Sequence, residues 1–178
     1  MHGPDPGALA AAKAEQRTTI SVCLPARDEE TTIGQIVATV RRVLVERHPL
    51  VDEIVVLDDG STDSTAEVAR WEGARVCAAA DVLPDAAAGS GKGNALWLSL
   101  YAAESDLICW VDADVRNFRA AFVTQLVEPM LRDPAVGFVK GYYRRPLFGR
   151  PTGGGRVTEL VARPLISNGH LRSSALPR

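Results

Sequence analysis

The chain has 178 residues, 46% of them hydrophobic, and a formal net charge of −2. That length suits one α/β domain with a real core. The near-balance of charge leaves no global field for nucleic acid, which needs a clustered basic surface. No apolar run approaches the length of a membrane span, and "MHGPDPGALAAAKAEQR" lacks the basic segment and apolar core of a secretory signal. Cys23, Cys77 and Cys109 lie in apolar stretches and read as small buried hydrophobes in a reducing compartment, so a cytoplasmic location is expected. No Cys/His spacing suggests zinc, and the scattered His2, His48 and His170 take no role.

In chain order, the Ala-, Gly- and Pro-rich residues 1–17 read as a loose arm. "TTISVCLP" (18–25) predicts a strand stopped by Pro25. "ETTIGQIVATVRRVLVER" (30–47) predicts an amphipathic helix, with Thr32 and Gln35 in capping-box spacing. "VDEIVVLD" (51–58) is a second strand. "STDSTAEVARWEG" (61–73) is a helix, with a capping box at Ser64 and Glu67 and a stop at Gly73. A short strand (74–79) precedes a long loop (80–93), a helix near 94–104 and the strand "LICWV" (107–111). A helix broken or kinked near Pro129 (118–133), a strand (135–143), a Gly-rich loop and a helix bent or ended by Pro164 (156–166) follow. Residues 18–166 form one domain and 167–178 a tail. Trp71, Trp97 and Trp110 fall on apolar faces and are expected in the core.

Strands alternating with helices imply a mostly parallel, doubly wound sheet, in which ligands bind beyond the carboxyl ends of the strands. Polar clusters gather at those ends: "PARDEE" after the first strand, "DDGSTD" after the second, and "DADV" (112–115) after the strand near 110. One Asp-x-Asp is expected by chance about once in a chain this rich in aspartate. Three clusters at one sheet edge carry more weight. Capping accounts for Asp63 or Ser64, but Asp58 and Asp59 exceed it, and a carboxylate just past a strand suits a ribose or base N–H. "GSGKGNALW" sets Lys92 among glycines at a helix start, an arrangement that favours anions, although it is not a P-loop. "TGGGRVTEL" repeats that arrangement around Arg156, with a floppy linker as the alternative. Asp112 and Asp114 point the same way on an extended strand, where a divalent metal or plain solvation would accommodate two like charges.

"SVCLPARDEETTIG", "VVLDDGSTDST" and "WVDADV" together resemble nucleotide-sugar glycosyltransferases of the GT-A fold. "GKGNALWLSL", "YYRRPL" and "TGGGRVTELVARPL" narrow the resemblance to the glucosyl-3-phosphoglycerate synthases, over residues 19–166. The resemblance implies transfer of glucose from UDP-glucose to 3-phosphoglycerate with retention of the α configuration, and a GT-A domain over 18–166. It implies a donor site of Pro25, Ala26, Arg27, Asp28, Glu29, Asp59, Lys92, Asp112 and Ala113, with Asp114 holding Mg²⁺ or Mn²⁺. It implies an acceptor site of Gly155, Arg156, Val157 and Thr158. The family usually carries Leu-Asn at Arg27-Asp28 and often Ser at Asp59. It also continues past the last motif, with a histidine metal ligand and further helices. The expectation is therefore of a chain truncated at its C-terminus that binds its donor better than it transfers, and that self-associates, for instance as a homodimer. Two other readings stay open: a GT-A transferase for another sugar or a lipid-phosphate acceptor, and a catalytically silent nucleotide-sugar binder.

Overall fold

The computed structural model describes residues 3–84 and 91–141. The chain divides into two units, Met1–Val139 and Lys140–Arg178, and every element below belongs to the first. Four strands, β1 (Ile20–Ala26), β2 (Glu53–Asp58), β3 (Arg75–Ala78) and β4 (Leu107–Trp110), form one parallel sheet in the order β3-β2-β1-β4. β1 runs beside β2 from Ser21↔Glu53 to Ala26↔Asp58, and beside β4 from Ile20↔Leu107 to Cys23↔Trp110. The chain builds outward from β1 to β3 and then crosses back to place β4 on the other side of β1. The order therefore reverses between β1 and β4, where parallel sheets open a crevice.

Side chains alternate across the central strands. Ile20, Val22, Leu24, Ile54 and Val56 pack on one face with Ile33, Ile36, Val37 and Val40 of α2 (Glu30–Val40) and with Val123, Val127 and Leu131 of α6 (Ala120–Arg132). Cys23, Val55 and Leu57 pack on the other with Ala79 of the short α4 (Ala79–Val82) and with Ala95, Leu98 and Ala102 of α5 (Lys92–Ala102). Cover on both faces makes the sheet doubly wound, as expected, and explains why β1 and β2 read as unbroken apolar runs. Each buried Leu, Ile or Val contributes about 1.5–3 kcal/mol relative to exposure. Burial also pushes the Cys23 and Cys109 thiols up to about 12, so neither is a ready nucleophile.

Several local expectations give way. Much of the expected loose arm is helix α1 (Pro6–Gln16). Asp5 caps it by accepting the Gly7 and Ala8 N–H groups at 3.3 and 3.1 Å, Pro6 sits in its first turn, and alanine is the strongest helix former. α1 is fastened to the domain: Lys13 pairs with Asp52 at 2.5 Å and Gln16 donates to Leu131 O at 2.6 Å. Pro25 does not stop β1 but lies within it. Cys23 O faces β4, accepting Val111 N–H, and Ala26 O faces β2, accepting Asp59 N–H. By alternation Pro25 faces the β4 side, beyond the last β4 pair, where no donor is needed. α2 passes into π-helical geometry over Arg41–Arg47.

Neither expected capping box forms. α2 starts at Glu30, and its Thr32 hydroxyl is committed elsewhere, as described below. Ahead of α3 (Thr65–Trp71), the Asp63 carboxylate rather than Ser64 accepts the Thr65 N–H, at 3.0 Å. α6 continues through Pro129, its buried face of Val123, Val127 and Leu131 held against the sheet. Residues 135–141 contain no strand. Val136 N–H and Ala135 N–H are taken by the carbonyl and carboxylate of Asp133 in a turn, so they are not free to pair with a neighbour. Residues 142–143, and the helix expected over 156–166, lie outside the described residues. Two of the tryptophans are not core, Trp71 being 89% and Trp97 40% exposed, while the half-buried Trp110 packs against the core and donates its indole N–H to Ser99 Oγ at 2.8 Å.

Candidate nucleotide-binding cleft

The polar clusters meet at the carboxyl ends of β1, β2 and β4. Pro25, Ala26, Arg27, Glu29, Asp59, Gly91, Lys92, Ala95, Asp112, Ala113 and Asp114 line one cleft of about 220 Å³. Nine of the ten residues expected at the donor and metal sites are among them. The tenth, Asp28, is not. Its φ of 54° is unusual for a side chain, and its carboxylate accepts the Thr62 N–H at 2.7 Å and the Thr62 hydroxyl at 3.1 Å. Asp28 thus ties the β1 loop to the β2 loop. Gly155, Arg156, Val157 and Thr158 lie outside the described residues.

The β1 and β2 loops clasp each other at several further points. Asp28 N–H donates to Ser61 Oγ at 3.0 Å, Glu29 N–H to Thr65 Oγ1 at 2.7 Å and Glu30 N–H to Asp63 Oδ2 at 3.1 Å. In return Ser64 N–H donates to Glu30 Oε2 at 3.0 Å. "DDGSTDST" therefore does two jobs. Asp59 reaches the cleft, while Ser61, Thr65 and Asp63 accept the Asp28, Glu29 and Glu30 N–H groups at the entry to α2. The hydroxyl and N–H groups of Thr65 hold the Asp63 carboxyl below the usual aspartate range.

Across the cleft, Asp59 Oδ2 accepts the Gly91 N–H at 2.9 Å, joining the end of β2 to the start of α5. Gly91 has φ 94°, a conformation that favours glycine, and caps α5. The next residue, Lys92, reaches Asp112 Oδ1 at 2.5 Å. No hydrogen bond or ion pair engages the Asp114 carboxylate among the described residues. Four carboxylates (Glu29, Asp59, Asp112, Asp114) and two cations (Arg27, Lys92) line the cleft.

The metal fit follows from that donor set. Among the described residues no three His, Cys, Asp or Glu side chains gather into a cage. Two hard oxygen donors one residue apart suit Mg²⁺ or Mn²⁺, which take one or two carboxylates and complete their shell with phosphate oxygens and water. The residues present fit an ion that arrives with a diphosphate.

Sequence reasoning singled out the glycines around Lys92 without assigning Gly91, and it missed Ala95. Gly91 was detectable as the residue before a helix start. Ala95 follows only once α5 is seen to begin at Lys92, one turn earlier in space.

A parallel sheet that opens at its switch point onto an acidic cleft, with a glycine-led helix start on one wall, is the nucleotide-sugar-binding domain of the GT-A fold. Residues 21–158 match glycosyl transferase family 2, and the chain belongs to that family. It is 47% identical over 159 residues to a glucosyl-3-phosphoglycerate synthase of Petrotoga mobilis, covering 87% of this chain and 49% of that protein. It is 48% identical over 166 residues to the enzyme of that name from Mycolicibacterium paratuberculosis, covering 89% and 49%. The chain thus spans about half the length of these curated relatives. A mannosyl-3-phosphoglycerate synthase structure from Rubrobacter xylanophilus superposes with TM-score 0.83 at 40% identity, over 94% of this chain and 53% of that one. The Mycobacterium tuberculosis glucosyl-3-phosphoglycerate synthase, solved with Mn²⁺, UDP-glucose and phosphoglyceric acid, superposes with TM-score 0.78 at 45% identity, over 94% and 55%.

Among the described residues no helix is long and apolar enough to cross a membrane.

Proposed function

We propose that the chain carries the donor half of a metal-dependent glucosyltransferase that moves glucose from UDP-glucose to 3-phosphoglycerate, giving glucosyl-3-phosphoglycerate. The observation that carries this reading is the meeting of Pro25–Arg27, Glu29, Asp59, Lys92 and Asp112–Asp114 around one cleft at the switch point. Asp59, beyond β2, receives the nucleoside. Lys92 and the positive end of α5 receive the diphosphate. Asp114, with Asp112 beside it, holds Mg²⁺ or Mn²⁺. When bound, the ion offsets the negative charge that grows on the UDP leaving group as the glycosidic bond breaks. Two net negative charges on the cleft walls would repel a bare diphosphate, which supports entry of nucleotide and cation together. Gly155, Arg156, Val157 and Thr158 hold the acceptor, the arginine gripping its phosphate or carboxylate bidentately. The reading includes a cytoplasmic setting, supported by three unpaired cysteines, and a homodimer, which sedimentation tests.

The test is calorimetric titration of the chain with UDP and UDP-glucose, with and without Mn²⁺, followed by a UDP-release assay with 3-phosphoglycerate present and absent. Metal-dependent binding of both nucleotides and acceptor-dependent release are expected. Absence of metal-dependent binding overturns the donor assignment. A second reading changes only the sugar, because the Rubrobacter xylanophilus neighbour is a mannosyl enzyme. Preference for UDP-mannose over UDP-glucose in the same titration would select it.

A further inference from the structure

The Thr32 hydroxyl links the first turn of α2 to the Asp-Ala-Asp loop, 81 residues later. Its Oγ1 donates to Ala113 O at 2.7 Å, and Thr32 is only 8% exposed. The same oxygen lies 3.3 Å from both Glu29 O and Glu29 Oε2. A hydroxyl has one hydrogen to give. Glu29 O already accepts the N–H groups of Thr32 and Ile33, at 3.1 and 3.0 Å, so the hydrogen goes to the nearer Ala113 carbonyl.

That carbonyl belongs to the peptide joining Ala113 to Asp114. The peptide is planar, so holding its oxygen fixes the plane out to the Asp114 Cα. Only φ of Asp114 and its side-chain torsions then separate the anchored plane from the carboxylate. Ala113 is itself buried at 4% exposure, which anchors the same plane from its other end. Asp112 and Asp114, either side of it, reach toward solvent. The loop is held in the middle and presents a carboxylate at each end.

We propose that Thr32 is a positioning residue for the metal site. It touches neither metal nor nucleotide, and it sets the direction of the Asp114 carboxylate through the Ala113 carbonyl. The inference rests on the donor reading above. Supporting groups that orient a metal ligand change metal affinity by about 10- to 100-fold when removed.

The experiment compares wild type with Thr32→Val, which keeps the branched shape without the hydroxyl, and with Thr32→Ser, which keeps the hydroxyl. Circular dichroism first establishes that each variant is folded. UDP binding is measured with and without Mn²⁺, and amide hydrogen exchange over residues 111–116 is measured without metal. In Thr32→Val, the Mn²⁺ enhancement of UDP affinity should fall about tenfold or more, metal-free affinity should hold within about twofold, and exchange over 111–116 should rise. Thr32→Ser should restore enhancement and protection. An undiminished Mn²⁺ enhancement in folded Thr32→Val, or equal loss of metal-free and metal-bound affinity, overturns the positioning role and leaves the donor reading standing. No Mn²⁺ enhancement in wild type overturns the donor reading and this inference with it.

Discussion

Lys92 and Asp112 face each other across the cleft at 2.5 Å, so the lysine at the start of α5 neutralises the first acid of the Asp-Ala-Asp loop. The two side chains are 60% and 41% exposed, and an ion pair this open contributes at most about 1 kcal/mol. Its position therefore matters more for the ligand than for the fold. On the donor reading proposed above, a diphosphate entering the cleft would offer Lys92 a second anionic partner.

Lys92→Met should accordingly leave the unfolding midpoint nearly unchanged while lowering UDP affinity about tenfold, the scale of one lost charge-assisted hydrogen bond. Uridine, which lacks the diphosphate, should bind the variant and wild type alike. Titration with both ligands at fixed salt checks this. Equal loss for uridine would move Lys92 away from the phosphates.

Asp114→Asn should abolish the Mn²⁺ dependence of UDP binding without unfolding the chain, because the side chain is exposed and anchors no neighbour. The metal-free affinity should rise slightly, since one repulsive charge has gone. An unaltered Mn²⁺ response would assign the ion to other residues.

The cleft was legible in the sequence because it is built where apolar runs end. The runs of β1, β2 and β4 are long enough to read as buried strands, and each is followed at once by acids and small residues. Parallel connectivity then brings those ends to one edge whatever the helices do in detail. Less was legible where a local pattern had two physical outcomes. Alanine, glycine and proline before residue 17 read as a loose arm, yet Asp5 and Pro6 start a helix there. Thr32 and Gln35 match a capping box, but the hydroxyl is claimed by Ala113 O, a partner that sequence spacing cannot announce. Trp71 falls on an apolar period of a short helix and still faces solvent. The sheet decides which side of such a helix is covered, and local pattern does not.

Glu53 makes a separate claim about acid stability. It lies at the N-terminal end of β2, away from the cleft. Oε1 accepts the Ser21 hydroxyl and the Glu104 N–H, and Oε2 accepts Arg75 at 2.7 Å. Burial pushes the carboxyl up, but the Glu104 N–H, the Ser21 hydroxyl and the Arg75 guanidinium outweigh it and hold it below its ordinary value of 4.5. The folded chain therefore resists protonation there more than the unfolded chain does. The stabilisation is fully present above the ordinary value and is lost as pH falls through the lowered one. Glu53→Gln should lower stability at neutral pH and flatten its decline in acid. Urea unfolding midpoints from about pH 6 to about pH 3 measure both. Parallel curves for variant and wild type would show that Glu53 does not couple protonation to folding.

Thr65 carries the clasp between the β1 and β2 loops. It is fully buried, accepts the Glu29 N–H at 2.7 Å and donates its own hydrogen to the Asp63 carboxylate. Glu29 caps α2 and lines the cleft, so a hydroxyl on α3 sets both the start of a core helix and one wall of the site. Thr65→Val preserves shape and branching but removes both bonds. The Glu29 N–H then faces a buried methyl in place of its acceptor, at a cost of about 1–3 kcal/mol. Thr65→Ser keeps the bonds and loses one methyl, at about 1 kcal/mol. Ser61→Ala is the control. It removes the acceptor of the exposed Asp28 N–H, which water can replace, and should change stability by less than about 0.5 kcal/mol. Urea unfolding orders the three, with Thr65→Val the least stable, and UDP affinity should fall for Thr65→Val alone. Should Thr65→Val prove as stable as Ser61→Ala, the start of α2 must hold without this hydroxyl.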